Sequence, residues 1–149
     1  ETARFAAIAI GFESQGKESY IDSTKRYTIK SPGFFVVASK NYSFLGHLSI
    51  HGGFNYSLER DDGDKDPNVF VGVEKTLGPA MTLLAEYNLG TNDDHKRSLG
   101  QGRGYLNVGW RWAIADGFAL GFDLKNLGKN RGQQAIATRV LRLEYLRYF

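Results

Sequence analysis

The sequence predicts an all-β protein, an antiparallel up-and-down transmembrane β-barrel of about eight strands, and three observations lead there. Hydrophobic residues alternate with polar ones at a period close to two along most of the 149 residues. Long polar connections alternate with short turns. The chain then ends on Leu141-Arg-Leu-Glu-Tyr-Leu-Arg-Tyr-Phe149, with Leu141, Leu143, Tyr145 and Phe149 on one side of an extended strand and Arg142 and Glu144 on the other. A lipid-facing exterior around a polar interior requires that arrangement, whereas a soluble sheet gains little from it.

The strands are expected at about 3–13, 33–40, 46–58, 68–76, 80–90, 104–113, 117–126 and 137–149. The first two are apolar on both faces and their phase is open. In the third, Leu48, Ile50, Phe54 and Tyr56 oppose His47, Ser49, His51, Asn55 and Ser57. In the fourth, Val69, Val71 and Val73 oppose Phe70, Gly72 and Glu74, and in the fifth Met81, Leu83, Ala85, Tyr87 and Leu89 oppose Thr82, Leu84, Glu86 and Asn88. The sixth sets Leu106, Val108, Trp110 and Trp112 against Tyr105, Asn107, Gly109 and Arg111. The seventh sets Phe118, Leu120, Phe122 and Leu124 against Ala119, Gly121, Asp123 and Lys125. The eighth is the terminal segment already described.

Long loops are expected at 14–32, 59–67, 91–103 and 127–136, and short turns near 41–45, 77–79 and 114–116. Pro32, Pro67 and Pro79 all fall in connections or at strand edges, where a missing N–H costs least. Four long loops on one side and three tight turns on the other place both termini at the tight-turn end. In a bacterial outer membrane that end is periplasmic.

Composition agrees. The chain is short enough for a single domain over residues 1–149. It contains no Cys, which excludes disulfides and thiolate metal sites. The 19 basic and 16 acidic residues are scattered, without the basic face of a nucleic-acid binder. The longest uncharged run, Asn41–Leu58, holds Asn, Ser, Gly and two His and is no transmembrane helix. Glu1 opens the sequence without a signal segment, so a mature chain or a truncated one is expected.

On these residues the chain resembles the small eight-stranded outer-membrane barrels typified by the OmpA membrane domain. The terminal aromatic with Leu141, Leu143 and Tyr145 looks like the signal such proteins present to the outer-membrane assembly machinery; Arg147 departs from that pattern. Lys30-Ser-Pro-Gly-Phe-Phe-Val-Val-Ala-Ser-Lys40 through Asp66-Pro-Asn-Val-Phe-Val-Gly-Val-Glu-Lys75 is also loosely similar to uncharacterised YjbH-like barrels. That resemblance implies no activity, and it admits that the chain is the C-terminal part of a larger barrel.

The expected roles follow from orientation. Tyr56, Tyr87, Trp110, Trp112, Tyr145 and Phe149 form aromatic girdles. Glu74, Glu86, Arg111, Asp123, Arg142 and Glu144 form a structural network inside, with Asp123 paired to Arg142 and Glu86 to Arg111, because isolated buried charges are costly. The inward glycines Gly53, Gly72, Gly109 and Gly121 leave room for long side chains, and the interior is expected to be packed rather than open.

His47, Ser49 and His51 are the best enzymatic candidates. On a strand the two His lie about 13 Å apart at ~3.3 Å per residue, too far for one metal ion. Ser49 with a His and an acid resembles lipid-A-modifying barrel enzymes, with Glu74 the nearer acid. Asp62, Asp64 and Asp66 have calcium-ligand spacing, but Pro67 and Val73 replace the turn Gly and the bidentate Glu. Gly100-Gln-Gly-Arg-Gly104 lacks nucleotide-binding spacing. Lys96, Arg97, Arg103, Lys129 and Arg131 are read first as solvated loop charges, with contact to lipopolysaccharide phosphates as the alternative.

The reading is therefore a non-enzymatic outer-membrane barrel in a structural, adhesive or assembly-partner role. It needs no catalytic residues, metal or cofactor. Its expected partners are membrane lipid, lipopolysaccharide, the assembly machinery and other envelope proteins, not nucleic acid. A lipid-modifying barrel enzyme, a soluble lipocalin-like ligand-binding barrel and a fragment of a wider channel are the alternatives.

Overall fold

The computed structural model describes residues 5–131 and 138–147. Eight strands form one antiparallel sheet in the order β1 (Ala7–Glu13), β4 (Gly33–Ser43), β5 (His47–Ser57), β6 (Asn68–Leu77), β7 (Met81–Asn88), β8 (Tyr105–Ala115), β9 (Phe118–Lys125) and β10 (Thr138–Tyr145). Each strand pairs with the next in that order, as in a meander. The stretch 14–32, expected as loop, instead carries a separate hairpin, β2 (Lys17–Ile21) with β3 (Arg26–Ile29). Its short strands lack the clean alternation that reveals the others.

Tight turns join β4 to β5, β6 to β7 and β8 to β9. Gly46, Gly78 and Gly117 adopt φ of 102°, 67° and 73° there, a region that L side chains avoid. The start of β1 and the end of β10 lie at this tight-turn end, and the described parts of the four long connections lie at the other. The sheet is not closed: among the described residues β1 pairs only with β4 and β10 only with β9, so two edges carry unpaired backbone groups.

The distribution of side chains is inverted relative to an ordinary globular fold. No hydrophobic side chain is buried among the described residues, whereas Arg26, Asp64, Asn68 and Asn130 are almost wholly enclosed. The phase of β1 and β4 is resolved by packing. Ile8, Ile10 and Phe12 point outward with Phe34, whose ring lies tilted against Phe12 with centroids 4.9 Å apart, while Phe35 points inward over Gly11. Leu143 is 65% exposed, and Trp110 lies across from Phe122 on the same outward face, half-buried by its neighbours.

Inside, bulky groups lie over glycines. Phe35 covers Gly11, Phe70 covers Gly53, and Arg111 covers Gly121; Asp123 abuts Gly109. Two of these glycines sit opposite the Arg and Asp that the charge pattern places inside. A Cβ at Gly109 would collide with Asp123 Oδ1, whereas one at Gly72 meets nothing nearer than 3.6 Å. Gly109→Ala is thus expected to cost about 1–3 kcal/mol by overpacking, and Gly72→Ala within about 0.5 kcal/mol. Denaturant midpoints of the two variants test this; equal midpoints would contradict the packing.

Among the described residues, the interior is not the filled core that the strand count suggested. A cavity of about 980 Å³ runs between the strands, and it is lined from both edges of the sheet, by Glu13 of β1 and Arg142 of β10. The sheet is therefore curled around its polar face.

Candidate functional site

The long-loop end is drawn together by a charged cluster that composition alone would leave in solvent. Arg26 opens β3 and is only 1% exposed. Its Nη1 donates to Asp62 Oδ2 at 2.7 Å and to Asp93 Oδ1 at 2.7 Å, and its Nε and Nη2 donate to the carbonyls of Tyr27 and Thr28. Lys30 Nζ reaches Asp62 Oδ1 at 2.9 Å and the Asp64 carbonyl at 2.9 Å. Tyr105 donates its hydroxyl to Asp93 Oδ2 at 2.6 Å. The hairpin is thereby pinned to loops 58–67 and 89–104.

The fourth connection joins through Asn130, whose Oδ1 accepts the backbone N–H of Gln101 and of Arg103. Arg131 Nη1 bonds Glu18 Oε2 of the hairpin at 2.7 Å. Glu59 adds a clamp, accepting the backbone N–H of Tyr27 at 2.7 Å and of Ser31 at 3.0 Å. All four long connections thus contribute to one cap over the mouth of the cavity.

Its electrostatics are mutually supporting. Burial would lower the pKa of Arg26, but the bonds and charges of Asp93 and then Asp62 outweigh it and hold the guanidinium above its ordinary value. Burial would raise Asp64, yet the N–H groups of Asp66 and Asp94, with His95 and Lys30, hold it below the usual carboxylate range. Asp64 therefore stabilises the cap at and above that usual range, a contribution lost as pH falls through its lowered value. His95, bonded to Asp64, is raised.

Inside the sheet, Asp123 gathers two arginines. Arg111 Nη1 lies 2.7 Å from Asp123 Oδ1 and Arg142 Nε 3.1 Å from Asp123 Oδ2. The Asp123–Arg142 pairing matches expectation; the Glu86–Arg111 pairing does not occur. Register explains it, because Glu86 lies across from Asn107, whose Nδ2 it accepts at 3.0 Å, while Arg111 lies across from Thr82 and Gly121. Four residues of separation along β8 is about 13 Å at ~3.3 Å per residue, beyond side-chain reach. Glu74 faces the cavity, and Glu144, exposed across from Ala119, stands apart from the Asp123 group.

Toward the tight-turn end, Ser49 Oγ lies 2.6 Å from Asn41 Oδ1 and 2.8 Å from His47 Nε2, and His51 Nδ1 lies 2.8 Å from Ser39 Oγ. The two His therefore belong to separate pairs. Glu74 is across from Ser49 in register, but among the described residues no acid bonds either imidazole.

Of the girdle aromatics, Trp112, Tyr87 and Tyr145 are exposed, at 42%, 40% and 66%. Tyr87 donates its hydroxyl to the Arg103 carbonyl, and Arg60 lies over the Tyr56 ring at 4.4 Å. Leu141 and Leu143 of the terminal pattern are exposed, and Phe149 falls outside the described residues. Lys96, Arg97, Arg103 and Lys129 are exposed at the long-loop end, but Arg131 is engaged with Glu18 and Tyr105.

The site residues expected from the sequence do not include Arg26, Lys30 or Asp93. Their only signal was a basic hairpin facing two Asp-rich loops, a pattern indistinguishable from solvated charge until the loops meet. No protein-family model, curated protein or solved structure matches this chain.

Proposed function

We propose that the chain forms the wall of a bacterial outer-membrane β-barrel, with a non-enzymatic structural, adhesive or assembly-partner role exercised at its capped outer end. One observation carries this reading: the described residues bury no hydrophobic side chain, while Ile8 and Ile10 on β1 and Leu141, Leu143 and Tyr145 on β10 are each more than 60% exposed. A chain of this size in water would enclose such groups. An apolar exterior of that extent suits hydrocarbon. The reading favours a membrane barrel over a lipocalin-like one, whose apolar face lines its cavity.

Hydrocarbon cannot satisfy open strand edges. In the bilayer β1 and β10 accordingly pair with each other and close the barrel, both chain ends lying on the periplasmic side. The 149-residue sequence has no Cys, so a crosslink is clean evidence of adjacency. Ile10→Cys combined in turn with Leu141→Cys, Leu143→Cys and Tyr145→Cys should yield one pair that oxidises readily. Detergent-solubilised protein should also show heat-modifiable gel mobility. Mobility that ignores heating would refute the membrane barrel. Heat-modifiable protein with no crosslink in any pair would instead favour a wider channel completed by further strands.

The lipid-modifying enzyme is less well supported. Ser49 is 5% exposed, and its hydroxyl is shared between Asn41 and His47 without an acid behind the imidazole. Turnover of phospholipid or lipid A that disappears in His51→Ala or Ser49→Ala would overturn the non-enzymatic reading.

A further inference from the structure

We infer that Asp64, Asp66 and His95 form a binding site for a divalent transition-metal ion of the zinc class at the rim of the cap. One ligand atom from each of these residues lies within 4.8 Å of the others, close enough for small side-chain movements to bring all three onto one ion. The three do not come from one acidic run. Asp64 and Asp66 lie in the connection after β5, and His95 lies in the connection after β7, so the cap itself creates the cluster.

The calcium spacing of Asp62, Asp64 and Asp66 does not survive folding. Asp62 turns away to Arg26 and Lys30 and is lost as a ligand. His95 takes its place, with Nδ1 at 3.2 Å from Asp64 Oδ2. Replacing a carboxylate by an imidazole changes the preferred ion. Calcium takes six to eight oxygen donors, whereas one imidazole nitrogen with two carboxylate oxygens suits zinc and its neighbours.

The site has a fixed base and adjustable sides. Asp64 is 1% exposed and held by the N–H groups of Asp66 and Asp94, while Asp66 and His95 are exposed and accessible to an ion from solvent. Asp94 Oδ1, 3.9 Å from His95 Nδ1, offers a further donor, and water completes the shell. Bound there, the ion would staple two outer loops together. This inference concerns the loop cap and does not depend on whether the wall lies in a membrane.

The experiment is calorimetric titration of the folded, tag-free protein with Zn²⁺, and separately with Ca²⁺. The expected result is saturable binding of one Zn²⁺ and no comparable response to Ca²⁺. His95→Ala and Asp66→Asn should each weaken Zn²⁺ binding by at least the roughly 10–100-fold that even outer-shell changes cost. His47→Ala and His51→Ala, remote from the cap, should leave it unchanged. Absence of saturable Zn²⁺ binding would overturn the site, as would affinity that survives His95→Ala or disappears in His51→Ala.

Discussion

Val73→Arg is expected, on the proposed membrane reading, to lower the stability of the protein in a bilayer or bilayer-mimicking micelle by about 2–4 kcal/mol, the cost of a cation on a lipid-facing strand near the midplane. Val73 is 40% exposed on the outer face, between Ile50 and Ala85 near the middle of β6. The magnitude discriminates because the same substitution on a water-facing surface stays within about 0.5 kcal/mol. Urea unfolding in lipid vesicles, compared with Val73→Leu, supplies the measurement. A near-neutral Val73→Arg would remove the physical basis for the membrane reading, since hydrocarbon around that position must penalise the cation.

Arg26→Ala is expected to be the most damaging change in the cap, at about 3–5 kcal/mol, because it abandons two buried carboxylates to a site with too little positive charge. Asp62 and Asp93 both depend on its Nη1. Lys30 still reaches Asp62, so Asp93 loses more. The loss should be local: rapid hydrogen exchange in the hairpin 17–29 and faster proteolysis of loops 58–67 and 89–104, with strand amides still protected. Arg26→Lys should recover only part of the stability, since one ammonium cannot reproduce the guanidinium's four contacts. Unchanged exchange in Arg26→Ala would mean that the ion pairs do not hold the cap.

Alternation of apolar and polar residues fixes the face a side chain takes within a strand and stops short of the contacts between strands. Strands β5 to β9 were legible to within one or two residues because each has one apolar and one polar face, and a slip of one residue would reverse every side chain. The inward position of Asp123 and Arg142, and the need for glycine beside them, followed from the same pattern. The partner of Arg111 did not, because it depends on register between strands: sequence alternation says which face a residue takes, not which height it meets.

The candidate cap shows the limit more sharply. Asp62, Asp64 and Asp66 looked like a calcium loop with two faults, but folding divides them between Arg26, Lys30 and His95, residues distant in sequence. The basic loop residues looked equivalent, yet Arg131 is engaged by Glu18 while Lys96 and Arg97 remain exposed.

By itself the sequence determined the antiparallel meander, the outward apolar face and the division into long loops and tight turns, since all three arise from steric and solvation preferences of neighbouring residues. Only the tertiary structure decided that the first long loop is a hairpin, that it folds over the mouth and that buried ion pairs fasten it. Those outcomes depend on charges many residues apart becoming neighbours, and Coulomb attraction in a desolvated site is set by distance in space, which the order of residues along a chain does not contain.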